Sequence, residues 1–484
     1  MAGVNQRWLS LCARILHTNR IDPDRSLVGN GGTSLAATHL AAAAHAELGW
    51  SPSVTRLLSD APLTSFSDTE SPALRLPEPD ASSPDRWPAT AAQQWLLSRN
   101  RRSFVGAIAD IEGPVSRSLL EHAVNTVLAV FDAFGLRFAS VDDVWYASHG
   151  AAPTLQWHHV DDIALALRDH EQQYRTDPIP HASAAVFTTG THATLWVEAD
   201  HVLLDGHSAD LFFTAVAETY AWGRYPGPRP PSSSMLARLL ASCRDEATEA
   251  YWREVYERVG AYPSVDFPGR LHRSESGPIP AHTRTRMLCR NDLEAVLRGC
   301  RLSGVTPFTA LLGCLVSALA RLGVEQRIGV MTASAGRFVS PAVGAIGNFA
   351  HELVVDLGPS STGVTTAVGN TRTAVQAARQ HDVVHRADLL AAYGPREVRN
   401  PFVLWVTADA ARAETDLPLG QFGRLTNIRS TVARGARTRS YPGLHLNVDV
   451  ATPMLSCEYG EGDVTENSVT ALLETWVQAM KEFS

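Results

Sequence analysis

Residues 68–88 are the strongest constraint this chain places on its own folding. Pro72, Pro77, Pro79, Pro84 and Pro88 alternate there with serines and acidic residues. Proline fixes φ and carries no amide hydrogen, so the stretch stays extended and spaces its neighbours instead of packing as a loop. The chain therefore divides into a short body over 1–67, a linker over 68–87 and a long body over 88–484. With 484 residues in total the long part exceeds one ordinary core. Hydrophobic residues at 45% and charged ones at 19% are the proportions of a chain that folds along most of its length.

In the short body, helical periodicity covers 8–16, the alanine-rich 34–48 and 51–58, with a last segment near Leu63. That is a small all-α bundle of four helices. In the long body, helical patterns at 91–100, 116–131, 208–222 and 246–259 alternate with strand-like runs at 105–111 and 193–199. The mixture repeats later, with helices at 292–300, 307–322 and 466–481 and strands at 327–332, 352–356, 402–407 and 444–450. The reading is an α/β body in two lobes, 88–266 and 267–484. A second Pro/Ser-rich break at 225–234 does not end the first lobe, because a helix containing Tyr251 and Trp252 follows.

A net charge of −8 with no cluster of Lys and Arg argues against a nucleic-acid surface. No run supplies the ~20 apolar residues of a membrane span, and the first residues lack the charged-then-apolar layout of a secretion signal; a cytoplasmic protein is expected. The six cysteines are scattered without a CxxC pair, so neither a disulfide framework nor structural zinc is expected. Cys314, inside an apolar run, reads as a small buried hydrophobe.

Two places carry chemistry. The first is Gly31-Gly32-Thr33-Ser34-Leu35, where a serine follows a glycine pair at the start of a helix. Ser34 is either an N-cap, its hydroxyl accepting an orphan amide, or a site for a phosphodiester, which free amides and the helix dipole would stabilise. The second is 191–208, which reads as a strand, a tight polar loop Asp200-His201-Val202-Leu203-Leu204-Asp205-Gly206, and a helix beginning near Ser208. A histidine at such an edge can take a proton near neutral pH, and helix-start amides can stabilise an oxyanion. Gly206 is expected to allow an unusual turn. A metal held by His201, Asp205 and His207 is the alternative. The nearby Trp157-His158-His159 lacks the glycine and the spacing and reads as a surface strand end.

With those residues in view, 7–67 resembles the peptidyl carrier domains of nonribosomal peptide synthetases, and 87–484 is similar to their condensation domains. The first resemblance rests on Gly31-Gly32-Thr33-Ser34-Leu35 and Ile21-Asp22-Pro23-Asp24, with Thr33 where the family has Asp or His. It implies 4′-phosphopantetheine on Ser34, installed by a phosphopantetheinyl transferase. The second rests on His201-Val202-Leu203-Leu204-Asp205-Gly206, preceded by 88–93, Leu136-Arg137 and followed by Tyr251-Trp252, Ala335-Gly336-Arg337 and 343–348 in order. It implies two chloramphenicol-acetyltransferase-like lobes in a V with the histidine loop at the floor of a tunnel. It implies catalytic His201, structural Asp205 paired with Arg337, and the Gly206 amide at the oxyanion. Asp200 replaces the family's first histidine, and Asp132-Ala133 its early Arg-His pair.

The implied reaction transfers an acyl or aminoacyl thioester from a carrier to an amine or alcohol, without metal, among other synthetase modules. A same-fold epimerase or dehydrating variant, and a catalytically silent docking platform, are the alternatives. The ends of the chain fit either a free-standing carrier–condensation protein or an excised pair of domains.

Overall fold

The computed structural model describes residues 2–16, 18–50, 52–67, 86–98, 103–176, 179–260, 264–271, 279–337, 340–394, 403–409, 416–430, 438–439, 443–450 and 452–484. Most of the proline-rich linker, 68–85, lies outside them.

The N-terminal body packs helices Ala2–Ile15, Ser34–Leu48 and Val54–Leu57 around Trp8, Leu27, Leu40, Leu57 and Leu63. The fourth position is one 3-10 turn, Leu63–Ser65, whose Leu63 carbonyl accepts the Trp8 indole N–H at 3.0 Å. Proline at 62 precedes that turn and Ser53 caps the short helix, so the sequence from 51 to 62 is too interrupted for a longer one.

The long body holds two large sheets of mixed direction and a small antiparallel one in the order Arg86–Pro88, Val144–Ser148, Arg137–Val141. The first runs in the order Leu417–Leu419, Gly423–Ser430, Phe104–Glu112, Ala193–Asp200, Ala182–Thr188, Gln156–His159. Strand Ala193–Asp200 is paired on both sides and buried along nearly its whole length, including the polar Thr194, Glu198 and Asp200 beside its apolar Leu195-Trp196-Val197. The second sheet runs His351–Pro359, Arg327–Ser334, Val403–Asp409, Gly443–Asp449, Met454–Gly460, Ile279–Met287, Thr438–Arg439. Its core is backed by helix Pro307–Arg321, which Thr306 caps and Pro307 opens, and by helix Glu466–Phe483. Cys314 is fully buried there, and burial pushes its thiol up to about 12.

One boundary needs correction. Residues 417–430, expected in the second lobe, cross back and pair antiparallel with Phe104–Glu112 of the first. The division at 266–267 therefore separates the chain, not the two sheets. His158 also departs from a purely surface role: it stands in an edge strand, but its ring stacks 5.1 Å from that of Phe187.

The carrier body rests against the long body. Helix Ser34–Leu48 meets the short helix Ser340–Val343, and the His39 and His207 rings are 5.3 Å apart. Arg25 donates to the Arg301 carbonyl at 2.7 Å, and Arg372 pairs with Asp60.

Candidate active site

The loop between strand Ala193–Asp200 and helix Gly206–Trp222 is held from every side. Asp200 ends the strand, is 4% exposed, and accepts the Val202 amide on Oδ1 at 3.1 Å. This bond folds the first step of the loop, so the residue that departs from the family pattern has a structural task here. The Asp200 carbonyl accepts the Leu203 amide at 2.8 Å. Gln93, in the stretch that resembles the family's opening motif, donates its Nε2 hydrogen to the Val202 carbonyl at 3.2 Å.

His201 is half-buried, and its Nδ1 lies 2.8 Å from the Leu204 carbonyl. A carbonyl only accepts, so the bond places the proton on Nδ1 and leaves Nε2 with its lone pair. The imidazole is thereby set in the tautomer that can take a proton from a nucleophile.

Asp205 is the N-cap of the following helix, and its Oδ1 accepts from the Ser208 amide and hydroxyl, each at 2.8 Å. Oδ2 accepts the Phe349 and Ala350 amides at 3.0 and 3.3 Å. Arg337, 132 residues away in sequence, donates Nη2 to the two oxygens at 2.8 and 3.0 Å. Burial alone would raise the Asp205 carboxyl, but the guanidinium and these donors outweigh it and hold it below the ordinary carboxylate range. Arg337 also donates Nη1 to the Ala342 and Ala345 carbonyls at 2.6 and 2.7 Å, and its guanidinium lies 4.4 Å from the Phe349 ring centre. The expected Asp205–Arg337 pair is thus present, fully desolvated, and joins the two lobes.

Gly206 corrects the reading made of it. It is an ordinary first-turn helical residue without positive φ, and a Cβ there would meet nothing within 4 Å. What glycine supplies is open space in front of the helix's first amides. The metal alternative also fails on geometry: Asp205's oxygens are spent on Arg337, Ser208 and backbone amides. His207 faces His39 of the carrier instead, and burial together with Arg337 pushes it down to about 4, against a smaller opposing pull from Asp205.

Several supporting residues carried no signal that sequence reasoning used. Ser208 Oγ accepts from Arg337 at 2.9 Å and from the Gly347 amide at 3.0 Å, and its one hydrogen faces two acceptors, Asp205 Oδ1 and the Gly347 carbonyl 2.7 Å away. His351 pairs across the sheet with Ser334, and Asp382 bridges the two, accepting Ser334 Oγ at 2.5 Å and contacting His351 Nε2 at 2.7 Å. His351 Nδ1 faces the Phe349 carbonyl at 3.3 Å, and with two acceptors only the imidazolium satisfies both. Burial opposes that charge, but Asp382 prevails and holds His351 above its ordinary value. The strand ends that emit Arg337 and the Phe349 amide are clamped together in this way. Asp132, in place of the family's early pair, accepts the Ser233 amide and hydroxyl at 2.9 and 2.6 Å. Trp252 donates to the His381 carbonyl at 2.7 Å while Tyr251 stacks on the His381 ring.

In the carrier, Thr33 Oγ1 accepts the Ala36 amide at 3.2 Å and the Thr33 carbonyl accepts that of Ala37 at 2.9 Å. Thr33 is therefore the cap, and Ser34 is the first helical residue; the Ser34 side chain lies outside the described residues. Gly31 takes φ 93°, and a Cβ on Gly32 would stand 2.7 Å from the Leu27 carbonyl oxygen, so the pair is required by the turn itself. A phosphodiester at Ser34 fits this setting, because the helix start offers amides and the capping task is already filled.

Comparison with known proteins agrees with this geometry. A sequence profile described as the condensation domain matches residues 84–400, and one described as the phosphopantetheine attachment site matches 8–68. Nonribosomal peptide synthetase sidC of Aspergillus fumigatus is 23% identical over 285 residues, 55% of this chain and 6% of that protein. Surfactin synthase subunit 1 of Bacillus subtilis (strain 168) is 24% identical over 355 residues, 67% of this chain and 10% of that protein. The chain thus spans a tenth or less of the length of these two curated relatives. The condensation domain from the Monacolin K polyketide synthase MokA superposes with a TM-score of 0.65, at 17% identity, over 82% of this chain and 97% of that one. At that identity the likeness is one of fold. The matched condensation span exceeds half of the 484 residues, and the chain belongs to the condensation-domain family, with a phosphopantetheine attachment domain ahead of it.

Proposed function

We propose that the chain carries out a condensation step of nonribosomal peptide synthesis, joining a carrier-bound acyl or aminoacyl group to an amine or alcohol through His201. The observation that carries this reading is the Nδ1 bond of His201 to the Leu204 carbonyl, which leaves Nε2 as the base. A 4′-phosphopantetheine on Ser34, placed there by a phosphopantetheinyl transferase, supplies a flexible thiol-ended arm that presents the acyl group as a thioester.

The chain's own residues supply the rest. His201 Nε2 takes the proton of the attacking amine or hydroxyl, holds it, and returns it to the departing sulfur. The first amides of helix Gly206–Trp222, unobstructed at Gly206, face the oxygen as it becomes an oxyanion. Asp205 and Arg337 touch no substrate in this scheme; they fix the loop so that base and amides keep one geometry. Other synthetase modules would supply the acceptor or remove the product. The test is intact-mass analysis of the chain loaded on Ser34 and offered a panel of amines and alcohols. Loss of the acyl mass matched by a new amide or ester supports the reading. A loaded mass that no acceptor changes contradicts it and favours the docking platform, and loss of water without acceptor favours a dehydrating variant.

A further inference from the structure

We infer that His158 and His170 together hold a zinc-class divalent cation, where helix Ile163–Thr176 covers the edge of the first large sheet. The inference is independent of the condensation reading.

His158, from the Trp157-His158-His159 run, belongs to Gln156–His159, the end strand of that sheet, which pairs in parallel with Ala182–Thr188. His170 belongs to the helix that connects these two strands. The crossover brings the two rings to 5.3 Å between centres. Aromatic packing holds both in place: His158 stacks on Phe187 at 5.1 Å, and His170 stands at right angles to Phe187 at 5.4 Å and to Trp196 at 4.8 Å. The Nε2 atom of each is shielded from solvent and has no hydrogen-bond partner, the other ring included. His39 and His207 have the same ring separation, but there only His207 Nε2 is buried without a partner.

Two stranded ring nitrogens in one place are costly, and a single N–H···N bond between neutral imidazoles would relieve both. That bond is not made. A cation bonded to the two Nε2 lone pairs satisfies them together, with each ring proton on Nδ1. The spacing fits as well. With metal–nitrogen bonds of about 2.1 Å and a tetrahedral angle, the two ring centres stand about 5 Å apart. The donor set selects the metal: imidazole nitrogens suit zinc, nickel or copper, whereas magnesium and calcium take oxygen ligands. Among the described residues no third His, Cys, Asp or Glu completes the group, so water fills the other positions, and both histidines are half-buried, which leaves it a route. The bound ion would staple the connecting helix to a strand that has a neighbour on one side only.

The experiment titrates the chelator-treated full chain with Zn2+ by isothermal calorimetry, in the wild type, in His158→Gln, in His170→Gln and in the double variant. One substitution lies on a strand and the other on a helix, and near-UV circular dichroism confirms that each chain is folded. The wild type should take up one more equivalent of zinc than either single variant, and the double variant should lose no more than each single one, because both histidines serve one ion. Excess Mg2+ should leave that uptake unchanged. Zinc should also raise the thermal unfolding midpoint of the wild type more than that of either variant. Equal zinc uptake by the wild type and the single variants overturns the inference. So does a double variant that loses the sum of two separate losses, or displacement of the extra equivalent by Mg2+.

Discussion

Replacing Arg337 with methionine removes one charge of a pair in which the side chains are 0% and 2% exposed. Asp205 would keep its donors from Ser208, Phe349 and Ala350 but would lose its guanidinium counter-charge. The Ala342 and Ala345 carbonyls would lose their donor as well. Removing one partner of a buried pair costs about 3–5 kcal/mol, since it strands the other charge. Adding Asp205→Asn to Arg337→Met removes the stranded charge, so the double variant should recover part of the loss, with a coupling energy of about 2 kcal/mol. The assay is urea unfolding of the four members of the cycle, followed by near-UV circular dichroism. Its pH dependence has a fixed sign. In the wild type Asp205 titrates below its ordinary 3.8, so its contribution is present above that pH and is lost as pH falls through the depressed value. In Arg337→Met the pull of the guanidinium is gone, the Asp205 carboxyl moves up, and the stability lost on acidification shrinks, reversing in sign where burial outweighs the remaining hydrogen bonds. Strict additivity of the two substitutions, within about 0.3 kcal/mol, would refute the reasoning.

Two further outcomes follow. Gly206→Ala should leave stability within about 0.5 kcal/mol of wild type, because its methyl meets no atom within 4 Å, yet slow transfer at least tenfold by crowding the first amides; unchanged single-turnover rates would remove those amides from the mechanism. Contact between carrier and condensation domain should weaken as pH falls from about 6.5 towards 4, because docking holds His207, and His39 beside it, in the neutral form. Interdomain energy transfer between labels on the two bodies reads this directly, and a signal flat over that range would contradict the interface.

Much of the fold follows from local pattern. Strands such as Arg327–Ser334 and Gly443–Asp449 stand where short apolar runs predict them, and helices Glu246–Val259 and Pro307–Arg321 agree with their periodicity and caps. Other elements have no such trace. Ile279–Met287 is rich in Thr, Arg and His and largely exposed, so no apolar alternation marks it. Val364–Gln380 is laden with Val and Thr, although its buried Val364, Ala367, Val368, Thr371 and Val375 keep helical spacing. The return of 417–430 to the first sheet depends on pairing with residues some 300 positions earlier, and nothing within the segment encodes that partner.

The site divides in the same manner. His201, Asp205 and Gly206 are legible as a contiguous string, and Arg337 through resemblance alone. Whether Thr33 or Ser34 caps the carrier helix, and whether Gly206 turns the backbone or merely clears space, depends on torsions that residue types do not fix.

The central claim is that His201 Nε2 is the base of a condensation reaction. Its most direct test is single-turnover transfer from acyl-loaded Ser34 in wild type and in His201→Ala, with loading itself followed by intact mass. The expected result is equal loading of both chains and transfer by the wild type alone, to an amine or alcohol that appears as a new amide or ester. Equal transfer by the two chains would contradict the claim.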